Sequence, residues 1–274
     1  MEDGTTGMTE KMENKVEQND FSIGAVFSHS RKILGTNPFV YLGLTVLAIL
    51  PPVAILLFYA KTSLSIRAFS TGIVLAFVVY GFSFLLLLGA VTHAVHQNRS
   101  GRSASFVAAL LGGLARLPMI FVTAFIMILS IVLIFILTSL LCGIAGLGGL
   151  GTLIALFVLL MLLVRWSVAI PVCAAEKLGP FKSITRSAVL TANCRLKIFA
   201  IFFLLSILQK FVEALCKAFV AQVGFSNIYY VALPVLLLMI PVATLQITIF
   251  AVTYFELRAS KEGIAVDALT TVFD

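Results

Sequence analysis

Charged residues are scarce in this chain: Asp, Glu, Lys and Arg together make up 11% of its 274 residues. Soluble domains carry about 25% charged residues, which they need to cover a surface that faces water. Hydrophobic residues account for 61% of the chain, and the mean hydropathy is +1.11. This composition excludes an ordinary soluble globular protein, a disordered protein and a fibrous protein. A polytopic membrane protein remains.

Four long stretches contain no Asp, Glu, Lys or Arg: 33–60, 68–98, 117–164 and 218–255. A helix crosses the hydrocarbon core with about 20 apolar residues, so the first, second and fourth stretches each hold one span. The third stretch is long enough for two spans, and its glycine cluster at 143–151 predicts the turn between them. A further span follows Lys197. We therefore predict an all-α, polytopic membrane helix bundle with spans at about 38–60, 71–95, 117–141, 150–172, 198–220 and 230–255.

The basic residues lie mainly on one side of this topology. Fifteen of the 19 Lys and Arg residues fall in the N-terminal segment, the second and fourth loops with their flanks, and the C-terminal tail. Because positive residues stay in the cytoplasm, both termini are predicted to be cytoplasmic. The same bias accounts for the net charge of +7 without a nucleic-acid partner. We expect the bilayer itself, through anionic headgroups at the cytoplasmic face, to be the partner; the residues indicate no protein partner.

The chain divides into a short acidic tail, a membrane domain and a short end segment. Residues 1–20 carry six acids and two lysines, which predicts a disordered cytoplasmic tail. The six-span domain is predicted at 21–257, and a cytoplasmic C-terminal segment at 258–274.

Three segments that precede spans share an amphipathic pattern: 22–34, 105–116 and 181–197. Each places apolar residues at i, i+3, i+4 and i+7 with basic residues nearby, which is typical of a helix lying in the cytoplasmic interface. The chain is then a threefold repeat of an interfacial helix and a transmembrane hairpin, or these segments share only the general character of loops that lead into spans. Both alternatives stay open.

Short motifs in the second half carry a family resemblance. They read Arg-Trp-Ser-Val-Ala-Ile-Pro at 165–171, Glu-Lys-Leu-Gly-Pro at 176–180, Arg-Ser-Ala-Val-Leu-Thr-Ala-Asn at 186–193 and Tyr-Phe-Glu-Leu-Arg at 254–258. The chain resembles the membrane domain attached to some bacterial glycerophosphoryl diester phosphodiesterases, together with its stand-alone multi-span relatives. The motif residues are Arg165, Trp166, Pro171, Glu176, Arg186, Ser187, Asn193, Tyr254 and Arg258.

The resemblance implies a multi-pass protein of the bacterial inner membrane. It does not imply hydrolase activity, because a metal-assisted phosphodiesterase needs clustered carboxylates and histidines on a barrel of about 250 residues. The sequence also departs from the family at Asn193-Cys194, where relatives usually have a turn of the glycine–asparagine type.

The fifth predicted span contains a charged cluster of Gln209, Lys210, Glu213 and Lys217. Ionisable groups inside the membrane are costly, so the cluster could line a permeation path or a proton relay. Alternatively, the cluster lies at the outer interface as a paired, snorkelling face.

Other polar residues at the inner ends of spans have two possible roles. Arg165 could bind a lipid phosphate or a carboxylate such as Glu256, or it could be an interfacial anchor beside Trp166. The pair His93 and His96 falls short of the four ligands of a structural zinc site, so we predict no metal and no cofactor. The candidate contacts for anionic lipid are Lys182, Arg186, Arg195 and Lys197.

The leading hypothesis is a non-enzymatic inner-membrane protein that organises lipid or envelope processes through its basic cytoplasmic face. A transporter or channel for ions or small solutes is the alternative, and an intramembrane lipid enzyme is a third hypothesis. The chain shows no constellation of Ser, His and Asp typical of a catalytic triad.

Overall fold

The computed structural model describes residues 21–62, 66–146, 148–223 and 228–262, which form nine helices and no strand. The all-α prediction is confirmed. The predicted acidic tail at 1–20 and the last residues, 263–274, lie outside the described residues. The helices are α1 (Ile23–Thr36), α2 (Pro38–Thr62), α3 (Ile66–Arg99), α4 (Phe106–Ile144), α5 (Gly148–Arg165), α6 (Ala169–Glu176), α7 (Pro180–Leu190), α8 (Arg195–Val223) and α9 (Ile228–Glu262).

Six segments of this part of the chain are long and apolar enough to cross a membrane, so the protein is a multi-pass helix bundle. They are Pro38–Lys61, Ser70–Arg99, Phe106–Ile144, Gly149–Glu176, Arg195–Gln222 and Ala232–Glu262. Several extend beyond the predicted spans, because a helix can continue through the headgroup region where charged side chains are solvated. The extreme case is α4, whose 39 residues make a helix of about 58 Å against a hydrocarbon core of about 30 Å.

Two of the three predicted interfacial segments form separate short helices. Asn37, before Pro38, leaves the helical conformation and separates α1 from α2, as expected for a residue that precedes proline. Similarly, α7 begins with Pro180 at its first position, after the extended Gly179.

The predicted separate helix at 105–116 is wrong, because this segment is the first part of α4. Pro118 lies inside α4 without ending it. The helix continues because Gly113 packs directly on α3: a Cβ atom there would lie 2.7 Å from the backbone nitrogen of Ala90. Small residues of this kind allow close helix contact in membranes.

The predicted third segment, 181–197, is also divided. Its helix ends at Leu190, a turn follows, and Arg195 begins α8. Asn193 in that turn has φ 66°, in the left-handed region that asparagine tolerates better than most residues. Asn193 therefore takes the role that a glycine has in such a turn.

Helix α9 is central to the bundle and packs against α1, α2, α3 and α8. The largest fully buried side chains, Tyr41 and Tyr254, lie in the core near the end that carries most of the basic residues. We call this the basic end. Large apolar side chains such as Phe125, Ile128 and Phe157 on α4 and α5 are exposed. A surface of this kind suits lipid rather than water.

Candidate functional site at the basic end of the bundle

Glu176, Arg186, Tyr254, Arg258 and Glu262 form one network, which we call the Arg186 network. The Arg186 guanidinium donates from Nε to Glu176 Oε2 at 3.2 Å and also pairs with Glu262. The Tyr254 hydroxyl donates to Glu176 Oε1 at 3.0 Å, and Arg258 Nε donates to Glu262 Oε2 at 2.8 Å. The network joins α6, α7 and α9, so it brings together motif residues that lie far apart in sequence.

A second cluster surrounds Glu256 on α9. Arg99 from α3 pairs with this carboxylate, and His29 Nδ1 from α1 lies 2.9 Å from Glu256 Oε1. The Arg99 guanidinium carbon also lies 5.5 Å from the centroid of the Phe255 ring, on which His96 stacks. The Glu256 cluster therefore joins α1, α3 and α9.

The expected alternative in which Arg165 binds Glu256 is wrong. Arg99 and His29 occupy that carboxylate, while the Arg165 side chain is exposed. The interfacial position of Arg165 beside the half-buried Trp166 is the alternative that agrees with its exposure.

The main chain of Arg165 has a structural role that its side chain does not. Span four is interrupted between α5 and α6, because Pro171 cannot donate a backbone hydrogen bond and its ring clashes with the carbonyl four residues before it. The Arg165 carbonyl oxygen accepts hydrogen bonds from Ser187 Oγ at 3.0 Å and from Thr191 Oγ1 at 3.2 Å. The hydroxyl face of α7 thus satisfies an oxygen at the break, which would otherwise be costly in an apolar environment.

Helix α7 is oriented with this small polar face inward. Ser183, Ser187 and Leu190 are buried against the bundle, whereas Phe181 is 71% exposed and Val189 is also exposed. A water-facing helix would show the opposite arrangement. An outward apolar face next to the exposed Lys182 is typical of a helix in a membrane interface.

The four predicted contacts for anionic lipid are not equivalent. Lys182 and Arg195 are exposed. Arg186 is engaged by two carboxylates in the Arg186 network. Lys197 Nζ donates to the Phe21 carbonyl oxygen at 2.9 Å, and so ties α8 to the start of α1.

The charged cluster of the fifth span faces outward. Lys210 Nζ and Lys217 Nζ each lie 2.8 Å from a Glu213 carboxylate oxygen, and the two lysine side chains are 78% and 75% exposed. Gln209 points elsewhere: its amide accepts a 3.1 Å hydrogen bond from Gln246 on α9. The trio is a compensated surface patch, and the cavity found among the described residues lies between other helices.

The histidine pair of α3 is part of the packing. Within the described residues, no group of three or more His, Cys, Asp or Glu side chains is placed to hold a metal ion. The His93 ring lies against α4, where a Cβ added to Gly112 would be 2.6 Å from its carbon atoms. In the same part of the chain, His93 Nδ1 is buried without a hydrogen-bond partner.

Comparison with protein-family models, with curated proteins and with solved structures finds no match to this chain. The resemblance noted in the sequence therefore stays a prediction.

The structure adds site residues that the sequence argument did not single out as partners: His29, Arg99 and Glu262. A signal for them was present. After residue 20 the chain contains only six acids, and a carboxylate at the end of an apolar helix needs a cation or hydrogen-bond donors. Glu256 and Glu262 could therefore have been identified as paired, although not with which cations.

The cations left over define the surface around the two clusters. In residues 21–62, 66–146, 148–223 and 228–262, the basic-end carboxylates Glu176, Glu256 and Glu262 are all engaged in ion pairs within the chain. The same residues contain further basic-end side chains with no ion pair: Arg31, Lys32, Arg102, Arg116, Arg165, Lys177, Lys182, Arg195 and Lys261. This surface has a surplus of positive charge.

Proposed function

We propose that this protein is a non-enzymatic, multi-pass protein of the bacterial inner membrane that gathers anionic lipid headgroups at its basic end, and so organises lipid or envelope processes. The observation that supports the proposal most is the surplus of cations left after the described carboxylates of that end have paired internally. Each basic residue near an anionic membrane surface contributes about 1 kcal/mol of attraction. The resemblance to the membrane domain of glycerophosphoryl diester phosphodiesterases is part of this proposal.

Helix α7 supports the same function. Its exposed apolar residues, Phe181 and Val189, place the helix at the boundary between hydrocarbon and headgroups, and Lys182 on the same helix is then at headgroup level. Arg186 on the next turn holds the helix to the bundle through Glu176 and Glu262. The network therefore positions a cationic surface without neutralising it.

The test is the lipid composition around the purified protein. The full chain is reconstituted in bilayers of equal parts phosphatidylglycerol and phosphatidylcholine, extracted in polymer-bounded discs, and its retained lipids are quantified. We expect phosphatidylglycerol to be enriched over the bulk ratio. The combined variant Lys177→Gln, Lys182→Gln, Arg195→Gln should lose most of this enrichment.

The matched control is Lys61→Gln, which removes an exposed cation at the other end of the bundle and should leave the enrichment unchanged. An unenriched wild-type sample, or equal loss in the control, would refute the proposal. The orientation is tested separately by Lys61→Cys and Ser103→Cys. An impermeant maleimide should label the first in intact cells and the second only after permeabilisation.

Transport remains an alternative that no observation on the described residues favours. It depended on the charged cluster of α8, and there Lys210 and Lys217 face outward with Glu213 between them. Unchanged ion flux in proteoliposomes carrying Glu213→Gln is the expected result. A loss of flux would favour a transporter instead.

A further inference from the structure

A cavity of about 150 Å³ lies between α2, α3 and α9, away from the basic surface. It is lined almost entirely by apolar side chains: Ala48, Ile49, Tyr80, Phe84, Ile247 and Phe250, among others. Tyr80 and Phe84 are also exposed at the outer surface of the bundle. The cavity therefore adjoins the face of the protein that lipid contacts.

The depth of the cavity follows from helix geometry. Ile247 lies about 14 Å along α9 from Glu256, and Leu87 lies about 18 Å along α3 from Arg99, at the rise of an α-helix. Glu256 and Arg99 form an ion pair at the basic end. Half of the hydrocarbon core is about 15 Å thick, so the cavity lies near the midplane of the bilayer.

The chemistry of the lining excludes water as the natural occupant. A buried water needs two to four polar partners, and the lining contains only two side chains with strong polar groups, Tyr80 and Gln246. The Gln246 amide nitrogen already donates to the Gln209 side chain at 3.1 Å and to the Leu205 carbonyl oxygen at 3.3 Å. A dry apolar cavity of roughly this size accepts a ring of six carbon atoms.

We propose that this cavity binds the distal part of one acyl chain of a membrane lipid. The distal carbons of acyl chains are the apolar groups present at the midplane, and they reach the cavity sideways past Tyr80 and Phe84. This inference extends the proposed function, because a lipid held by its headgroup at the basic end and by its chain in the cavity is bound at two points. The cavity makes the chain contact whichever headgroup the lipid carries.

The test is photo-cross-linking in a bilayer. The full chain is reconstituted with phosphatidylglycerol carrying a diazirine near the end of one acyl chain, and in parallel with phosphatidylcholine labelled at the same position. We expect cross-links to concentrate on cavity residues of α3 and α9, such as Phe84 and Gln246. Exposed residues of α4, such as Phe125 and Leu129, should be labelled several-fold less.

Two filling variants test occupancy, Ala48→Leu from α2 and Ala243→Leu from α9. Each adds three carbon atoms to the cavity lining, and should lower the labelling of Phe84 and Gln246 several-fold. The matched control is Ala54→Leu, the same change on an exposed position of α2, which should leave the labelling unchanged. The second variant keeps the test decisive if the first does not fold.

The outcomes separate this inference from the proposed function. Labelling of the cavity no higher than on α4, or unaffected by both filling variants, overturns the inference. Filling variants that are simply more stable, in detergent and in bilayers alike, with unchanged labelling, identify a packing defect and overturn it as well. Equal cavity labelling by both lipids supports the inference while counting against the headgroup preference of the proposed function. Enrichment of phosphatidylglycerol without cavity labelling does the reverse.

Discussion

Replacing Arg186 with methionine tests whether the Arg186 network holds α7 to the bundle. The substitution keeps the apolar stem and removes the charge that Glu176 and Glu262 share. The side chains of Glu176, Glu262 and Arg186 are 12%, 23% and 30% exposed, so the site lies between the buried and the exposed limits.

The magnitude follows from that position. Removing one partner of a buried ion pair costs about 3–5 kcal/mol, whereas an exposed pair is worth about 0–1 kcal/mol. After the substitution, Glu176 keeps the Tyr254 hydroxyl and Glu262 keeps Arg258. We therefore expect the free energy of unfolding to fall by about 2–3 kcal/mol, between the two limits.

The assay is unfolding in mixed detergent micelles of increasing dodecyl sulfate content, followed by fluorescence. Trp166 is the only tryptophan of the chain, and it follows the end of α5 directly, so its emission reports on this region. The matched control is Lys182→Met, which removes a neighbouring exposed cation of the same helix. The control should change stability by less than about 0.5 kcal/mol.

A double-mutant cycle decides whether the loss belongs to the ion pair. The variants Arg186→Met, Glu176→Gln and the combination should show a coupling energy of at least about 1 kcal/mol, as expected for residues in direct contact. Additive losses would contradict the argument. So would an Arg186→Met variant as stable as the Lys182→Met control.

Three further predictions concern the main chain and use the same unfolding assay. Ser187→Ala should lose about 1 kcal/mol because a carbonyl at the break in span four loses a donor, whereas Thr185→Ala, on the exposed side of α7, should lose less than half as much. Asn193→Gly should be tolerated and Asn193→Val should cost about 1–2 kcal/mol, since φ at this position is 66°; equal stability of the two variants would disprove the conformational argument. Gly113→Ala should separate α3 from α4 and destabilise the protein, because the added Cβ would meet backbone at 2.7 Å. Gly81→Ala has nothing within 4 Å of its Cβ and should stabilise α3 by about 0.5–1 kcal/mol, so the opposite signs of the two changes are the measurement.

The interfacial helices show where local sequence is sufficient and where it is not. Prolines at 38 and 180 mark helix starts through their own fixed geometry, and both are where the structure has them. Pro118 carries the same local signal and lies within α4. The difference is the packing of Gly113 on Ala90, a contact between two helices that local patterning does not contain.

The candidate site shows the same division. The motif residues Glu176, Arg186, Tyr254 and Arg258 were chosen from the sequence because of a resemblance, without a contact between them. Their contacts form because α6, α7 and the end of α9 meet at one end of the bundle. The partners Arg99 and Glu262 could not be assigned earlier, because each cation had several carboxylates within reach of a plausible topology.

By itself, the sequence determined the helical class, the six spans and the placement of the basic residues. It could do so because a bilayer forces backbone groups into helices and keeps charge out of apolar stretches, which are properties of single segments. Only the tertiary structure decided that Arg186 is engaged, that Lys182 and Arg195 are exposed, and that Lys210 and Lys217 face outward around Glu213. It also decided the cavity between α2, α3 and α9. Pairing, exposure and cavities depend on which helix faces meet, and helices in lipid associate through shape and hydrogen bonds that hydropathy does not record.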